Sequence, residues 1–225
     1  MTVIDNYRLI EKKIRQITSA RENQITIISV SKTFSAAVIQ EAIDSGIRIF
    51  GENKVQEAQK KIPALTGTFS FHMIGHLQSN KARDAVALFD VIHSIDKAET
   101  ASKVDEEAKK IEKVQSILVQ VNVSGEETKS GVGPDESYAL VEHILKLENI
   151  SLLGLMTMAP YTENRGIIRE TFRKTRELRD SISSRLGIGL TELSMGMSSD
   201  YDIAVQEGAT MVRIGSAIFG ERTYS

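Results

Sequence analysis

The residue whose type and position first suggest chemistry is Lys32, which ends the apolar, β-branched run of residues 25–32 (ITIISVSK). A run without polar alternation is typical of a strand that is covered on both faces, as in a parallel sheet. Ligands of α/β folds bind at the carboxyl ends of such strands. A lysine amine there can condense with a carbonyl group once its pKa is lowered. Lys32 is therefore the first candidate for covalent binding of a ligand, with a solvated surface lysine as the alternative.

Two segments rich in small residues near the end of the chain are candidates for binding an anion. Residues 194–200 (SMGMSSD) and 213–220 (RIGSAIFG) each bring serines, glycines and backbone N–H groups to the start of a predicted helix, which is a common phosphate site. Helix capping and a tight turn would explain either segment alone. Both together, after the last two predicted strands, favour a phosphate.

A lysine and a phosphate site at one rim would suit a phosphorylated aldehyde or ketone, either pyridoxal 5'-phosphate (PLP) or a sugar phosphate. An inward-pointing Arg213 could donate a hydrogen bond to a pyridine nitrogen. That nitrogen would stay unprotonated, because arginine does not give up its proton. A salt bridge or a phosphate contact is the alternative role for Arg213.

Further polar residues follow other predicted strands and would lie at the same rim, among them Asn53, His76 and His93. His72 and His76 have the i, i+4 spacing of some metal ligands. Gly75 and the strand pattern between them argue against a shared helix face, so we predict no metal site.

The elements that must position these residues alternate regularly between strand and helix. An amphipathic helix at residues 5–17 precedes the first strand. Eight strands, each followed by a helical segment or turn, give the count of a closed (β/α)8 barrel. An open doubly wound sheet is the competitor, but no G-x-G-x-x-G follows the first strand. We therefore predict one barrel domain over residues 1–225, with strands at residues 25–32, 47–50, 69–74, 91–94, 115–123, 150–158, 192–195 and 211–214.

Composition excludes several classes of protein. The chain has 225 residues, 41% hydrophobic and 26% charged, with a formal net charge of -2, so no global field draws it to nucleic acid or an anionic membrane. It has no cysteine, which excludes disulfides, thiolate metal sites and a cysteine nucleophile. No apolar stretch approaches the roughly 20 residues of a membrane span, and no signal-peptide core is present, so we expect a cytoplasmic protein.

Motifs along the whole chain resemble the pyridoxal phosphate homeostasis protein family, small relatives of the alanine racemase amino-terminal barrel. They are VSKT at 30–33, FGEN at 50–53, HMIGHLQSNK at 72–81, HSID at 93–96, VNV at 121–123, KSG at 129–131, LM at 155–156, LSMGMS at 193–198 and MVRIGSAIFG at 211–220. Small departures from the family pattern include Phe71 where a tryptophan is frequent and Lys54 where an aromatic residue is usual.

The resemblance implies a type III fold that holds PLP on Lys32 as an internal aldimine. It implies phosphate contacts from Ser198, Gly215 and Ser216, and it places Arg213 opposite the pyridine nitrogen. Asn53 and His76 would lie near the ring.

The expected function is that of a PLP-binding protein that buffers or delivers the cofactor, with PLP-dependent apo-enzymes as partners. Related racemases take a catalytic tyrosine from a second, β-rich domain of a partner subunit. The sequence ends at Ser225, and Tyr224 has no evident scaffold, so we expect a monomer with little or no catalysis. The alternatives are a weak PLP-dependent racemase or transaminase and, less favoured, a Schiff-base aldolase acting on a sugar phosphate.

Overall fold

The computed structural model describes residues 2–18, 25–126 and 129–220; Tyr224 lies outside them. Eight parallel strands pair in chain order, and the last pairs with the first to close a barrel. This closure confirms the predicted (β/α)8 barrel and rules out the open sheet. The strands are β1 (Thr26–Val30), β2 (Ile49–Glu52), β3 (Ser70–Met73), β4 (Val91–Ile95), β5 (Gln115–Gln120), β6 (Ile150–Met156), β7 (Glu192–Met197) and β8 (Met211–Ile214).

Helices alternate with these strands, and local sequence explains where several of them begin and end. Ser35 and Asn164 cap helices through side chains that accept backbone N–H groups, and Gly187 ends the longest helix in the left-handed conformation. The helices are α1 (Val3–Ile17), α2 (Ala36–Asp44), α3 (Val55–Lys61), α4 (Ala82–Leu88), α5 (Ala98–Lys110), α6 (Pro134–Ile144), α7 (Arg165–Leu186), α8 (Tyr201–Gln206) and α9 (Ser216–Phe219).

Helix α1 is the predicted extra helix that precedes the barrel. Thr2 and Asp5 form a capping box at its start, which satisfies backbone N–H groups that lack helical partners. Its buried residues are Ile10 and Ile14, and the Asn6 side chain donates to the carbonyl of Ile218 at 3.0 Å. The helix therefore packs against the end of the described chain, beside α9.

The apolar core has two parts, as expected for a barrel inside a ring of helices. One cluster consists of buried strand residues such as Ile28, Leu118 and Met156. The larger cluster joins strands to helices through residues such as Phe50 and Phe172, both fully buried. Within the described ranges, no helix is both long and apolar enough to cross a membrane.

Seven of the eight strands end one to three residues away from the predicted position, β1 at Val30 instead of Lys32 among them. Close packing at a glycine accompanies two of these differences. β2 continues past Phe50 to Glu52 because Gly51 lets Ile28 approach; a Cβ on this glycine would lie 2.8 Å from Ile28 Cγ2. β7 continues past Met195 to Met197 with a shift in its pairing to β8, and Gly196 at this shift has φ +92° and packs directly against Ala204. β5 ends at Gln120, and Val121 then bridges to Val132.

Candidate functional site

The carboxyl ends of β7 and β8 converge as the sequence predicts. The Ser198 hydroxyl accepts hydrogen bonds from the N–H of Gly215 at 3.3 Å and of Ala217 at 3.5 Å. We call this contact the Ser198 junction. Ser216 is exposed and begins α9 beside it. Because the Ser198 hydroxyl accepts from two N–H groups, it keeps its own proton to donate to an anion, as the Ser216 hydroxyl can.

Asp200 shapes the loop that carries Ser198. It is buried, and its Oδ1 accepts the N–H of Met197 at 2.5 Å. Burial raises the pKa of Asp200, while the Met197 hydrogen bond and the charge of Arg213 act in the opposite direction. The short span between β7 and α8 is thus held by the Asp200 side chain.

The end of β1, which leads into Lys32, borders the Ser198 junction. That strand ends at Val30, and a Cβ on Gly215 would lie 3.5 Å from Val30 Cβ. β1 also pairs with β8, with Ile28 opposite Arg213. Lys32 itself is partly buried. The structure therefore brings the segment of the predicted lysine next to the two loops predicted to bind phosphate.

Arg213 points into the barrel, as one prediction required. Only 4% of it is exposed. Its Nη1 donates to the carbonyl and hydroxyl oxygens of Ser194 at 2.8 and 2.7 Å, and its Nη2 donates to the carbonyl of Thr157 at 2.9 Å. These bonds occupy three of the five N–H groups of a guanidinium. Among the described residues Arg213 forms no ion pair within 4.0 Å.

Burial lowers the pKa of Arg213 to about 10, with the Asp200 carboxylate opposing the shift. At neutral pH the guanidinium stays charged and acts only as a hydrogen-bond donor. The bonds to Ser194 and Thr157 hold the guanidinium in place, and Nε–H and one Nη2–H have no hydrogen bond among the described residues. Arg213 is thus a fixed, charged hydrogen-bond donor.

A chain of hydrogen bonds continues from Arg213 across the barrel to two buried histidines. Ser194 Oγ lies 2.9 Å from His93 Nδ1, and His93 Nε2 lies 3.0 Å from His72 Nδ1. Since Ser194 Oγ accepts from Arg213, it can donate its own proton to His93, which then donates to His72. This pattern gives every nitrogen along the chain a role with both rings neutral. Both histidines are thus buried, and they connect to Arg213 through Ser194.

The neutral histidines predict a loss of stability in mild acid. Burial lowers the pKa of His72 from 6.5 to about 4, with the Asp90 charge acting in the opposite direction. In the unfolded chain His72 binds a proton below pH 6.5, whereas in the folded chain it binds one only below about pH 4. The free energy of unfolding therefore falls by up to about 3 kcal/mol as the pH is lowered from 6.5 to about 4, and this group has no such effect above pH 6.5.

Urea unfolding of the wild type and of His72→Gln at pH 7 and pH 4.5 would measure this loss, because glutamine keeps a hydrogen-bonding partner for His93 without a titrating ring. We expect the variant to lose less free energy of unfolding than the wild type between the two pH values. An equal loss in both proteins would mean that other groups cause the acid sensitivity.

Asn53 and His76 lie together on the other side of the rim, after β2 and β3. The two loops touch because Gly75 has no side chain; a Cβ there would lie 2.2 Å from the carbonyl oxygen of Asn53. Both residues line a groove of about 500 Å³, and Lys54 and Lys81 line it as well. His76 Nδ1 is 3.8 Å from Asp96 Oδ2. The two residues predicted to lie near the ring are thus brought together after β2 and β3, the strands that follow β1 around the barrel.

Three charged residues near Lys32 were not predicted to take part in the site. Glu52, Glu57 and Lys61, which we call the Lys61 cluster, are joined by hydrogen bonds and contact the residues on either side of Lys32. The second strand was predicted to end at residue 50, which would leave Glu52 in the loop after it. In the structure Glu52 is the last residue of β2 and is fully buried. A carboxylate that directly continues an apolar strand was the one sequence signal for it.

The candidate residues offer an amine, a guanidinium, hydroxyl groups, an amide, an imidazole and backbone N–H groups. No candidate residue carries a carboxylate. Such a donor set suits a ligand with an anionic group, a carbonyl group and a hydrogen-bond acceptor.

Comparison with known proteins points in the same direction. The family model of the alanine racemase N-terminal domain matches residues 6–223. The pyridoxal phosphate homeostasis protein of Aquifex aeolicus is 45% identical over 204 residues, which is 90% of this chain and 90% of that protein. The structure of PipY from Synechococcus elongatus with PLP bound has a TM-score of 0.84 and 36% identity, covering 94% of this chain and 100% of that chain.

The likeness to a larger enzyme is confined to the fold. Alanine racemase of Clostridium difficile has a TM-score of 0.76 at 19% identity, and the match covers 98% of this chain but 58% of the racemase chain.

Proposed function

Since this chain belongs to the pyridoxal phosphate homeostasis protein family, we propose that it binds PLP reversibly and buffers or delivers the cofactor inside the cell. The observation that carries the proposal is the meeting of β1, β7 and β8 at one end of the barrel. There the segment of Lys32 borders the Ser198 junction, and Arg213 lies buried beside them. Amine, anion site and fixed donor are the three features that this cofactor needs.

The residues fit the chemical groups of PLP one by one. When bound, the cofactor supplies an aldehyde that a lysine amine can attack, and Lys32 is the residue that would hold it covalently. The hydroxyl of Ser198 and the backbone N–H groups of Gly215 and Ser216 would bind the phosphate. Arg213 would donate to the pyridine nitrogen and keep that atom unprotonated. Asn53 and His76 would border the ring from the side of the groove.

The same arrangement favours a carrier over an enzyme. A pyridine nitrogen that faces a permanently protonated Arg213 stays uncharged, which weakens the electron withdrawal on which PLP catalysis depends. Relatives at up to 45% identity carry the name of homeostasis proteins. We therefore propose a single-domain, cytoplasmic carrier that acts as a monomer, changes amino acids little or not at all, and passes PLP to enzymes that lack it.

The proposal can be tested with purified protein incubated with PLP and freed from excess cofactor. We expect a visible absorbance band that borohydride abolishes, and an intact mass increased by one reduced cofactor. Mixing the loaded protein with a PLP-free transaminase should restore that enzyme's activity, and light scattering should give the mass of one chain. A protein that stays colourless and unmodified after incubation would overturn the proposal and favour a sugar-phosphate aldolase.

Incubation of the loaded protein with L- and D-amino acids separates a carrier from an enzyme. We expect the configuration and the amino group of each amino acid to persist. Turnover that is reproducible and disappears in Lys32→Ala would instead identify a racemase or transaminase.

A further inference from the structure

Both neighbours of Lys32 in the chain donate hydrogen bonds to carboxylates, one through its side chain and the other through its backbone N–H. On the amino side, the Ser31 hydroxyl donates to Glu52 Oε1 at 2.8 Å, and the Ser31 N–H donates to the carbonyl of Gly51 at 3.0 Å. On the carboxyl side, the Thr33 N–H donates to Glu57 Oε2 at 3.0 Å. Lys32 thus lies between one anchor on β2 and another on α3.

Lys61 joins these anchors into one unit. Its ammonium donates to Glu52 Oε1 and to Glu57 Oε2, both at 2.9 Å, and to the carbonyl of Ser31 at 3.2 Å. The Glu52 side chain is fully buried, and the Lys61 side chain is 12% exposed. Burial raises the pKa of Glu52, and the hydrogen bond and charge of Lys61 oppose that shift. Charges held this far from water interact strongly, so the cluster is expected to be rigid.

The backbone after Lys32 is strained, which is the second independent observation. Thr33 has φ 72°, a left-handed conformation that is unusual for a β-branched residue. Strained residues of this kind persist where their surroundings hold them, and they concentrate at functional sites. Here the surroundings are the Glu57 carboxylate and, through it, Lys61.

We propose that the Lys61 cluster positions Lys32, by fixing the path of the backbone on both sides of it and so the direction in which its side chain leaves β1. This inference rests on the proposed function and adds to it three positioning residues, Lys61, Glu52 and Glu57. They act through the backbone of Lys32 without touching the cofactor. The cost of the strained Thr33 conformation is then part of holding the amine ready for an aldehyde.

Thr33→Gly separates positioning from folding. Glycine adopts the left-handed conformation freely, so we expect the melting temperature to stay the same or rise. Glycine keeps the N–H that bonds to Glu57, but it lets the backbone after Lys32 adopt other conformations more easily, so the dissociation constant for PLP should increase by roughly tenfold. The rate at which borohydride fixes the cofactor should fall in parallel. If this segment had only a structural role, a variant with an unchanged or higher melting temperature would bind PLP as well as the wild type does.

A pair of serine variants supplies a matched comparison. Ser31 and Ser29 are both fully buried on the β1 segment, and the Ser29 hydroxyl has no hydrogen-bond partner among the described residues. We expect Ser31→Ala to weaken PLP binding and to shift the visible band of the bound cofactor, with Ser29→Ala like wild type in both. Equal effects of the two substitutions would contradict the proposal.

Lys61 variants test the centre of the cluster. Lys61→Met should weaken PLP binding by roughly tenfold or more, because two carboxylates lose their common donor, and Lys61→Arg should recover most of that binding. Should Lys61→Met fail to fold, Thr33→Gly and Ser31→Ala still decide the question. If the wild type takes up PLP and all these variants bind it equally well, the positioning role is wrong and the proposed function stands. A wild type that takes up no PLP would overturn both.

Discussion

Lys32→Ala is expected to abolish borohydride-stable attachment of PLP and the visible band, while the protein keeps its fold. Lys32 is only partly buried and follows the end of β1, so its removal leaves no large cavity in the core. Phosphate contacts at the Ser198 junction and the donor at Arg213 would remain. Residual, non-covalent binding should therefore persist, weaker by roughly 100-fold or more, which corresponds to about 3 kcal/mol. Absorbance titration, intact mass after borohydride and equilibrium dialysis measure these effects.

Lys32→Arg distinguishes the chemistry of the amine from its charge. Arginine keeps a positive charge near the phosphate loops, but it stays protonated and cannot attack an aldehyde. We expect Lys32→Arg to lack the visible band as completely as Lys32→Ala, with somewhat tighter non-covalent binding. Lys54→Ala, at an exposed lysine on the same rim, should keep the band. A band of full intensity in Lys32→Arg would show that another lysine holds the cofactor.

Gly75→Ala is expected to weaken both the fold and the ring side of the site. The new Cβ would lie 2.2 Å from the carbonyl oxygen and 2.7 Å from the Cα of Asn53, and backbone atoms cannot rotate away as a side chain would. The loops after β2 and β3 must separate, at a cost of about 1–3 kcal/mol in the free energy of unfolding. Because Asn53 and His76 lie on those loops, PLP binding should weaken as well. Urea unfolding and absorbance titration give the two quantities.

Gly189→Ala is the matched control for this substitution. Its added Cβ would meet no heavy atom within 4 Å, and its φ lies outside the left-handed region. We expect a change within about 0.5 kcal/mol and unaltered PLP binding. If Gly75→Ala behaved like this control, the close approach of the two loops would not be needed for the site.

The sequence predicted the eight strands and their helices because burial along one element leaves a local periodicity. Residues 211–214 are strand β8 as expected, and the helix α1 that precedes the barrel covers residues 3–17 where residues 5–17 were predicted. The same logic placed Lys32, Ser198, Arg213 and Gly215 at one end of the barrel, since parallel strands that alternate with helices all end on the same rim. The fold class thus followed from pattern alone, and so did the expectation that these four residues share one rim.

Contacts between distant side chains had no such local signal. One partner of His93 is Ser194, 101 residues further along the chain. The carboxylates that bond to the two neighbours of Lys32 lie on β2 and α3. The ends of β2 and β7 were predicted too early because Gly51 and Gly196 look like turn residues, although each is a point of close packing inside a strand. Hydrophobic periodicity reports whether a residue is buried, whereas its hydrogen-bonding partner depends on how the closed barrel brings separate strands together. That is why the sequence indicated which residues meet at the rim, and only the tertiary structure decided how each of them is held.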